Sequence, residues 1–220
     1  MNGQSCKKIL TTFYKPIVKW YLQKPRLYTY RGLEIIVRPG VFHPGFFYST
    51  KLLLKHLEGL DLFQKRILEL GCGSGLISCV LAKKGGIVTA TDISKTALAN
   101  TIENAQRNHV VIEAKYSDLF SNIGNQEFDF IVINPPYYKG NQTTDESFAW
   151  YAGMLLEYFQ QLFVQLKVNL KHSQCIMILN DACDLNFIAA QAKRNGLNLN
   201  LLKVHKLTTE ENYIYSIQYA

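Results

Sequence analysis

Apolar and polar positions along this chain follow two different rhythms, and the change between them divides it. Over the first 22 residues Ile9, Leu10, Phe13, Ile17, Val18 and Tyr21 recur at helical spacing, which predicts an amphipathic helix over 5–22, bent at Pro16 and ended by Pro25. Two short extended runs, Leu27–Tyr30 and Leu33–Val37, flank Arg31-Gly32 and predict a hairpin. Pro39-Gly40 and Pro44-Gly45 mark a loop, and Leu52–Leu60 reads as a short helix. From Lys65 onward strands and helices alternate. Strands are predicted at 66–70, 87–91, 110–115, 128–133 and 174–180, with helices at 75–84, 94–108, about 147–171 and 184–195. Such alternation demands a parallel sheet covered on both faces. The end differs: Leu197–Leu207 and Tyr213–Tyr219 are separated only by Thr208–Asn212, too few residues for a crossover. The pattern is an α/β, Rossmann-like sheet of seven strands whose last strand returns antiparallel. It divides the chain into an N-terminal extension over 1–40, helix plus hairpin, and a single α/β domain over 41–220.

Composition narrows the class. With 48% hydrophobic and 19% charged residues in 220, the chain can bury a core, and global disorder is excluded. No stretch approaches the roughly 20 apolar residues that span a bilayer, and Lys15 and Lys19 break the only N-terminal apolar run that could serve as a secretory signal. Cys6, Cys72, Cys79, Cys175 and Cys183 are odd in number and contain no CxxC pair, which argues against a zinc site or a disulfide framework and fits a reducing cytoplasm. The five histidines share no metal-ligand spacing, and only His43 falls beside the presumed pocket. The charge is unevenly spread. Eight of the 24 Lys and Arg lie in residues 1–40 against a single acid, Glu34, so that segment carries the whole net charge of +7. A basic segment of this kind attracts a phosphate backbone or an acidic protein surface.

The chemistry gathers at predicted strand ends. Ile67-Leu68-Glu69-Leu70 runs into Gly71-Cys72-Gly73-Ser74-Gly75, a glycine turn that lets backbone approach a bound cofactor at the carboxyl end of a parallel strand. Cys72 is the small residue such a turn requires, a simpler reading than a nucleophile. Asp92 ends the second strand about 20 residues later, where an acid accepts ribose hydroxyls. Asp118, after the third, is placed for an adenine amino group. A nicotinamide dehydrogenase has nearly the same layout. Two features lean away from it: the GxGxG spacing, and a carboxyl at Glu69 inside the strand, which suits a ligand carrying an ammonium or sulfonium charge. The balance favours S-adenosylmethionine.

Asn134-Pro135-Pro136-Tyr137 follows the fourth strand directly. The prolines stiffen the backbone. The Asn134 side-chain oxygen and the Pro135 carbonyl can together accept both hydrogens of a substrate NH2 group, and Tyr137 offers a flat face to a planar substrate. Holding both N–H bonds aims the nitrogen lone pair at the methyl donor, so positioning carries the rate and no strong base is needed.

This combination resembles the class I S-adenosylmethionine-dependent methyltransferases, and within them the amino-methylating branch marked by Asn-Pro-Pro-Tyr. The resemblance covers about residues 41–220. It implies cofactor binding by Glu69, Gly71, Gly73, Gly75, Asp92, Asp118 and Asn134, and placement of the target nitrogen by Asn134, Pro135 and Tyr137. No metal is implied. Val41-Phe42-His43-Pro44, Thr50-Lys51-Leu52-Leu53-Leu54 and Ala149-Trp150-Tyr151-Ala152-Gly153 are similar to the HemK/PrmC group, which methylates a glutamine amide in translation release factors. The acids usual before that Thr are replaced by Gly45-Phe46-Phe47-Tyr48-Ser49, and the helical N-terminal domain of bacterial members is absent. Related members methylate exocyclic amines in RNA or DNA. The basic leader, with Phe42, Phe46, Phe47, Tyr48, Tyr137 and Tyr138, suits that substrate equally. The residues thus leave RNA, DNA or a release factor open as the partner. An NAD-dependent oxidoreductase, or a non-catalytic module that binds cofactor or RNA, are the alternatives.

Overall fold

The computed structural model describes residues 20–208 and 210–220. The predicted leader helix lies outside the described residues except for its helical end at Trp20 and Tyr21. β1 (Arg26–Tyr30) and β2 (Leu33–Val37) form the antiparallel hairpin. They are followed by α1 (Tyr48–Leu57), β3 (Arg66–Leu70), α2 (Leu76–Lys83), β4 (Ile87–Asp92), α3 (Lys95–Arg107) and β5 (Ile112–Tyr116). The second half comprises β6 (Phe130–Ile133), α4 (Asp145–Phe148), α5 (Glu157–Asn169), β7 (Gln174–Asn180), α6 (Leu185–Arg194), β8 (Leu197–Lys206) and β9 (Glu211–Tyr219).

The large sheet has the order β5-β4-β3-β6-β7-β9-β8. The pairs among β5, β4, β3, β6 and β7 are all parallel, and β9 runs antiparallel to both its neighbours. The seven strands and the reversed last one stand where the sequence places them. The strand order turns back between β3 and β6, and at such a switch point the carboxyl ends of two neighbouring strands open a crevice for ligands. Alternation along these strands sorts their side chains between two cores. Leu68, Leu70, Ile131 and Ile133 join Phe159 and Phe163 of α5 and Ile188 of α6 on one face. Ile67, Phe130 and Val132 join the hairpin, α1 and α2 on the other. Glu69 shares its face with Ile67, since side chains two apart along a strand point the same way.

The hairpin is fastened to the large domain by side-chain amides. Asn100 and Asn104 on α3 and Asn108 at its C-cap, one turn apart, accept hydrogen bonds from the backbone N–H groups of Arg38, Ile36 and Glu34 at 3.0, 2.8 and 2.9 Å. Their own NH2 groups donate back to the carbonyls of Ile36, Ile36 and Glu34. Four residues of helix rise about 6 Å and two residues of strand about 6.7 Å, so the steps match closely enough for a short side chain to absorb the difference. The outer edge of β2 is thus paired by a helix acting as a strand, and Leu33, Ile35 and Val37 enter the same core as α1 and α2.

Several predicted boundaries shift. The helix read over 147–171 is two helices, α4 and α5. Between them the chain is extended and zipped to the preceding loop by Tyr138 N–H to Trp150 O at 3.0 Å and Ala152 N–H to Tyr138 O at 2.8 Å. Gly153 (φ 93°) and Leu156 (φ 59°) turn the backbone out of helical space before α5 begins. β5 starts at Ile112 rather than 110, after His109 at φ 53°, and Val111 is fully solvated. β6 is shorter than 128–133, and α1 begins four residues before Leu52 and ends at Leu57.

Candidate active site

A cavity of about 250 Å³ opens at the switch point, walled by the turn after β3, the ends of β4 and β6, the loop before α1 and the α4–α5 region. Of the residues singled out from the sequence, Glu69, Gly71, Gly73, Asp92, Asp118, Asn134, Pro135 and Tyr137 all line it. Gly75 does not. It is the N-cap of α2 at φ 76°, and a Cβ there would lie 2.9 Å from Thr101 on α3, so it permits helix packing.

The electrostatics of the wall are one-sided. Glu69, Asp92, Asp118 and Glu157 contribute four carboxyl groups, and among the described residues no Lys, Arg or His lines the cavity. Glu69 is 2% exposed, accepts a hydrogen bond from Ser78 Oγ, and has no cation paired with it among the described residues. Burial pushes its pKa up to about 8, the Ser78 hydrogen bond opposing and nearby Asp92 reinforcing the rise. The carboxylate of Asp92 is set by two backbone donors, Gly73 N–H and Ser94 N–H, each at 2.9 Å. Ser94 in turn caps α3 through Ala97 N–H. Asp118 is exposed, at the end of its strand. The Cys72 thiol is buried and pushed well up by desolvation, with Asp92 and Glu69 adding to the effect, so it is no thiolate nucleophile.

Asn134 is clamped from both ends of its amide. Its Nδ2 donates to Thr50 Oγ1 at 3.2 Å, and its Oδ1 accepts from the Tyr137 hydroxyl. Thr50 is a residue the sequence reading passed over as a site residue. It lies on the buried side of the first turn of α1, 84 positions from its partner. Among the described residues none donates a hydrogen bond to the Pro135 carbonyl. The expectation of a flat Tyr137 face is corrected: the ring is 5% exposed and packed into the core below, so the residue offers its hydroxyl and not its face. Aromatic surface at the mouth comes instead from Phe42, Phe47 and Trp150, whose rings meet in a triangle with centroids 4.9–5.3 Å apart. Phe46 turns away to pack on His43 and Tyr21. His43 is buried beneath these rings, does not line the cavity, and burial lowers its pKa, which makes it a packed core histidine.

No group of three or more metal-ligating side chains occurs among the described residues, and none of their helices is long and apolar enough to cross a membrane.

A glycine turn, an acid at the end of the next strand and a crevice at a switch point define a Rossmann-like domain built to hold a nucleoside-bearing ligand. Residues 32–157, more than half of the chain, match the Methyltransferase small domain family, and the chain belongs to it. The matched span contains both the glycine turn and the Asn134 loop. The chain is 41% identical over 107 residues to the "Putative protein N5-glutamine methyltransferase" of Methanocaldococcus jannaschii, covering 48% of this chain and 52% of that one. It is 33% identical over 133 residues to ribosomal RNA small subunit methyltransferase C of Vibrio cholerae, covering 58% and 37%. The chain therefore spans about half or less of the length of these relatives. Among solved structures, the E. cuniculi Mtq2–Trm112 complex, responsible for methylation of the eRF1 translation termination factor, matches with a TM-score of 0.62 and 22% identity over 82% of this chain and 99% of that one. The T. thermophilus 16S rRNA N2 methyltransferase RsmC, in complex with AdoMet and guanosine, matches at 0.63 and 17% over 88% and 50%. At these identities the two structures establish the shared fold.

Proposed function

We propose that this protein transfers a methyl group from S-adenosylmethionine to a planar NH2 nitrogen, the exocyclic amine of a nucleic-acid base or the side-chain amide of a protein glutamine. The observation that carries the reading is the clamped Asn134 carboxamide on the wall of a cavity to which the described residues bring four carboxyl groups and no cation.

The donor set fits the cofactor. A sulfonium and an ammonium group both carry positive charge, and the buried Glu69, with no cation paired to it among the described residues, supplies the complementary charge once deprotonated. Asp92, held rigid by Gly73 and Ser94, presents acceptors to ribose hydroxyls, and Asp118 stands at the next strand end for a base. When bound, S-adenosylmethionine supplies an electrophilic methyl group. The chain's own work is placement. Thr50 and Tyr137 fix which end of the Asn134 amide is oxygen, and the oxygen keeps a second lone pair for a substrate N–H. The Pro135 carbonyl has the capacity to take the other N–H. With both hydrogens held, the plane of the NH2 group is fixed with one face toward the methyl donor, so the rate comes from positioning, and the methylated nitrogen then gives up its surplus proton to solvent. The nicotinamide alternative requires this wall to hold a pyrophosphate, which the carboxylates of Asp92, Asp118 and Glu157 repel.

The test supplies radiolabelled S-adenosylmethionine to a ribosome-containing extract with the wild-type chain and with Asn134→Ala. Label is expected with the wild type only, while the variant still binds S-adenosylhomocysteine. Loss of label to nuclease identifies a nucleic-acid amine; loss to protease alone identifies a glutamine. Equal transfer by the variant would refute the proposed role of Asn134.

A further inference from the structure

The outer face of α1 and the adjoining edge of the sheet carry charge that no ion pair among the described residues neutralises. Leu53, Leu54 and Leu57 bury one side of α1 against Ile176, Ile178 and Ile214, which leaves Tyr48, Lys51 and Lys55 along the other at three- and four-residue spacing. Lys203 pairs with Ile214 across β8–β9, and His205 with Asn212. Directly paired residues share a sheet face, so Lys203 and His205 stand on the face that α1 covers, at its flank. The proximity shows in the histidines. Burial and then Lys203 lower the pKa of His56, and burial, Lys203 and Lys55 lower that of His205. Lys51, Lys55 and Lys203 form no ion pair among the described residues. The nearby acids are engaged or lie at the boundary: Glu58 pairs with Arg31 at 2.6 Å and Glu211 with Lys206 at 3.3 Å. Asp181 and Glu210 sit beyond, beside Tyr138.

This stripe has a direction. It starts at the cavity mouth, where Phe47 packs on Trp150 and Thr50 holds Asn134. It then passes Tyr48, half exposed with the Lys51 ammonium 5.9 Å from its ring centre, and runs about 10 Å down the helix to Lys55 and across to Lys203. Cations interleaved with exposed aromatic rings are the surface that single-stranded nucleic acid selects, because the backbone follows the charge and bases stack on the rings.

We propose that the α1–β8 face is a backbone-binding track for single-stranded RNA, leading it to the mouth of the cavity. The inference deepens the methyl-transfer reading, because it names the kind of chain whose amine would reach Asn134, but its test needs binding alone. Asp181 and Glu210 border the track at the strand tops and turn the anion down α1.

The experiment measures fluorescence anisotropy of a fluorescein-labelled 15-nucleotide single-stranded RNA of mixed sequence on the full chain, as a function of salt. Three phosphate contacts contribute about 0.7 each to the slope of log Kd against log salt. The triple variant K51A/K55A/K203A is therefore expected to flatten that slope by about 2 and to weaken binding at 0.1 M salt by about 100-fold. A triple of equal charge on the opposite face, K167A/K193A/R194A, is expected to leave the slope within half a unit. Should the first triple fail to fold, judged by its melting transition, K55A/K203A alone is expected to lose about 1.4 in slope. An unchanged slope, or equal loss in both triples, would overturn the proposal. So would displacement of the RNA by poly-glutamate at matched charge, which would assign the face to an acidic protein. RNA binding with this pattern but no methyl transfer by the wild type would sink the catalytic reading and leave the track standing.

Discussion

Replacing Asn104 with alanine removes the central rung that fastens the hairpin to α3, and its cost can be worked from the hydrogen bonds it makes. The side chain is fully buried; it accepts from Ile36 N–H and donates to the carbonyls of Ile36 and Ser74, all at 2.8 Å. The Ile36 carbonyl keeps a second donor in Asn100, and the Ser74 carbonyl belongs to a residue that lines the cavity, so each of those losses costs about 1 kcal/mol. The Ile36 N–H has no other partner among the described residues and is left unsatisfied at about 1–3 kcal/mol. Alanine's better helix propensity offsets about 0.5 kcal/mol. The sum, about 3 kcal/mol, corresponds to a fall in Tm of about 6–12 °C for a domain of this size. Urea unfolding of the full chain measures it, with exposed Gln106→Ala on the same helix as the reference. Asn100→Ala is expected to cost less, and the double variant more than the sum, because Ile36 then loses both its carbonyl donors. An Asn104→Ala cost below 1 kcal/mol, or one matched by Gln106→Ala, would refute the view that these amides stand in for a strand.

Three further outcomes follow from the site. With its pKa near 8, Glu69 is mostly protonated at neutral pH, and a cationic ligand binds the deprotonated form. Affinity for S-adenosylmethionine by calorimetry is expected to rise up to about tenfold per pH unit from 6 to 8 and then level off, with Glu69→Gln flat throughout. A flat wild-type profile would contradict this. The sign reverses for stability: the unfolded carboxyl loses its proton at lower pH than the folded one, so the ligand-free fold weakens as pH rises through that window. Thr50→Val is expected to lower kcat about tenfold with cofactor affinity unchanged, and Thr50→Ser to restore it. Equal rates for Val and Ser would show that the Asn134 amide needs no orienting hydroxyl.

The central strands could be read from sequence because they are buried on both faces; Ile67–Leu70 and Phe130–Ile133 are runs that little else produces. The glycine turn and the Asn134 loop were legible for a related reason, since each follows such a strand at once. The misread helix at 147–171 shows the limit. Phe148, Trp150, Leu155 and Leu156 keep an apolar rhythm, but Trp150 belongs to the mouth and Leu155 is exposed, and only Gly153 hinted at the break. Thr50 and the buried ring of Tyr137 were out of reach, because their roles depend on contacts across the fold rather than on neighbours in the chain. The role of Asn100, Asn104 and Asn108 was likewise out of reach, because their partner is a strand 60 to 75 residues earlier.

That separation has a bearing on how the protein is made. The hairpin is complete once residue 37 has been added, but the amides that close its outer edge arrive only with residues 100–108. At about 5–20 residues per second, the edge waits on the order of 4–14 s on every new chain. A lone two-stranded hairpin is barely stable in water, and an open edge invites pairing with a neighbouring nascent chain. Glu34 and Arg38, charged and solvent-facing on that strand and just past it, give the unfinished edge its protection until α3 emerges.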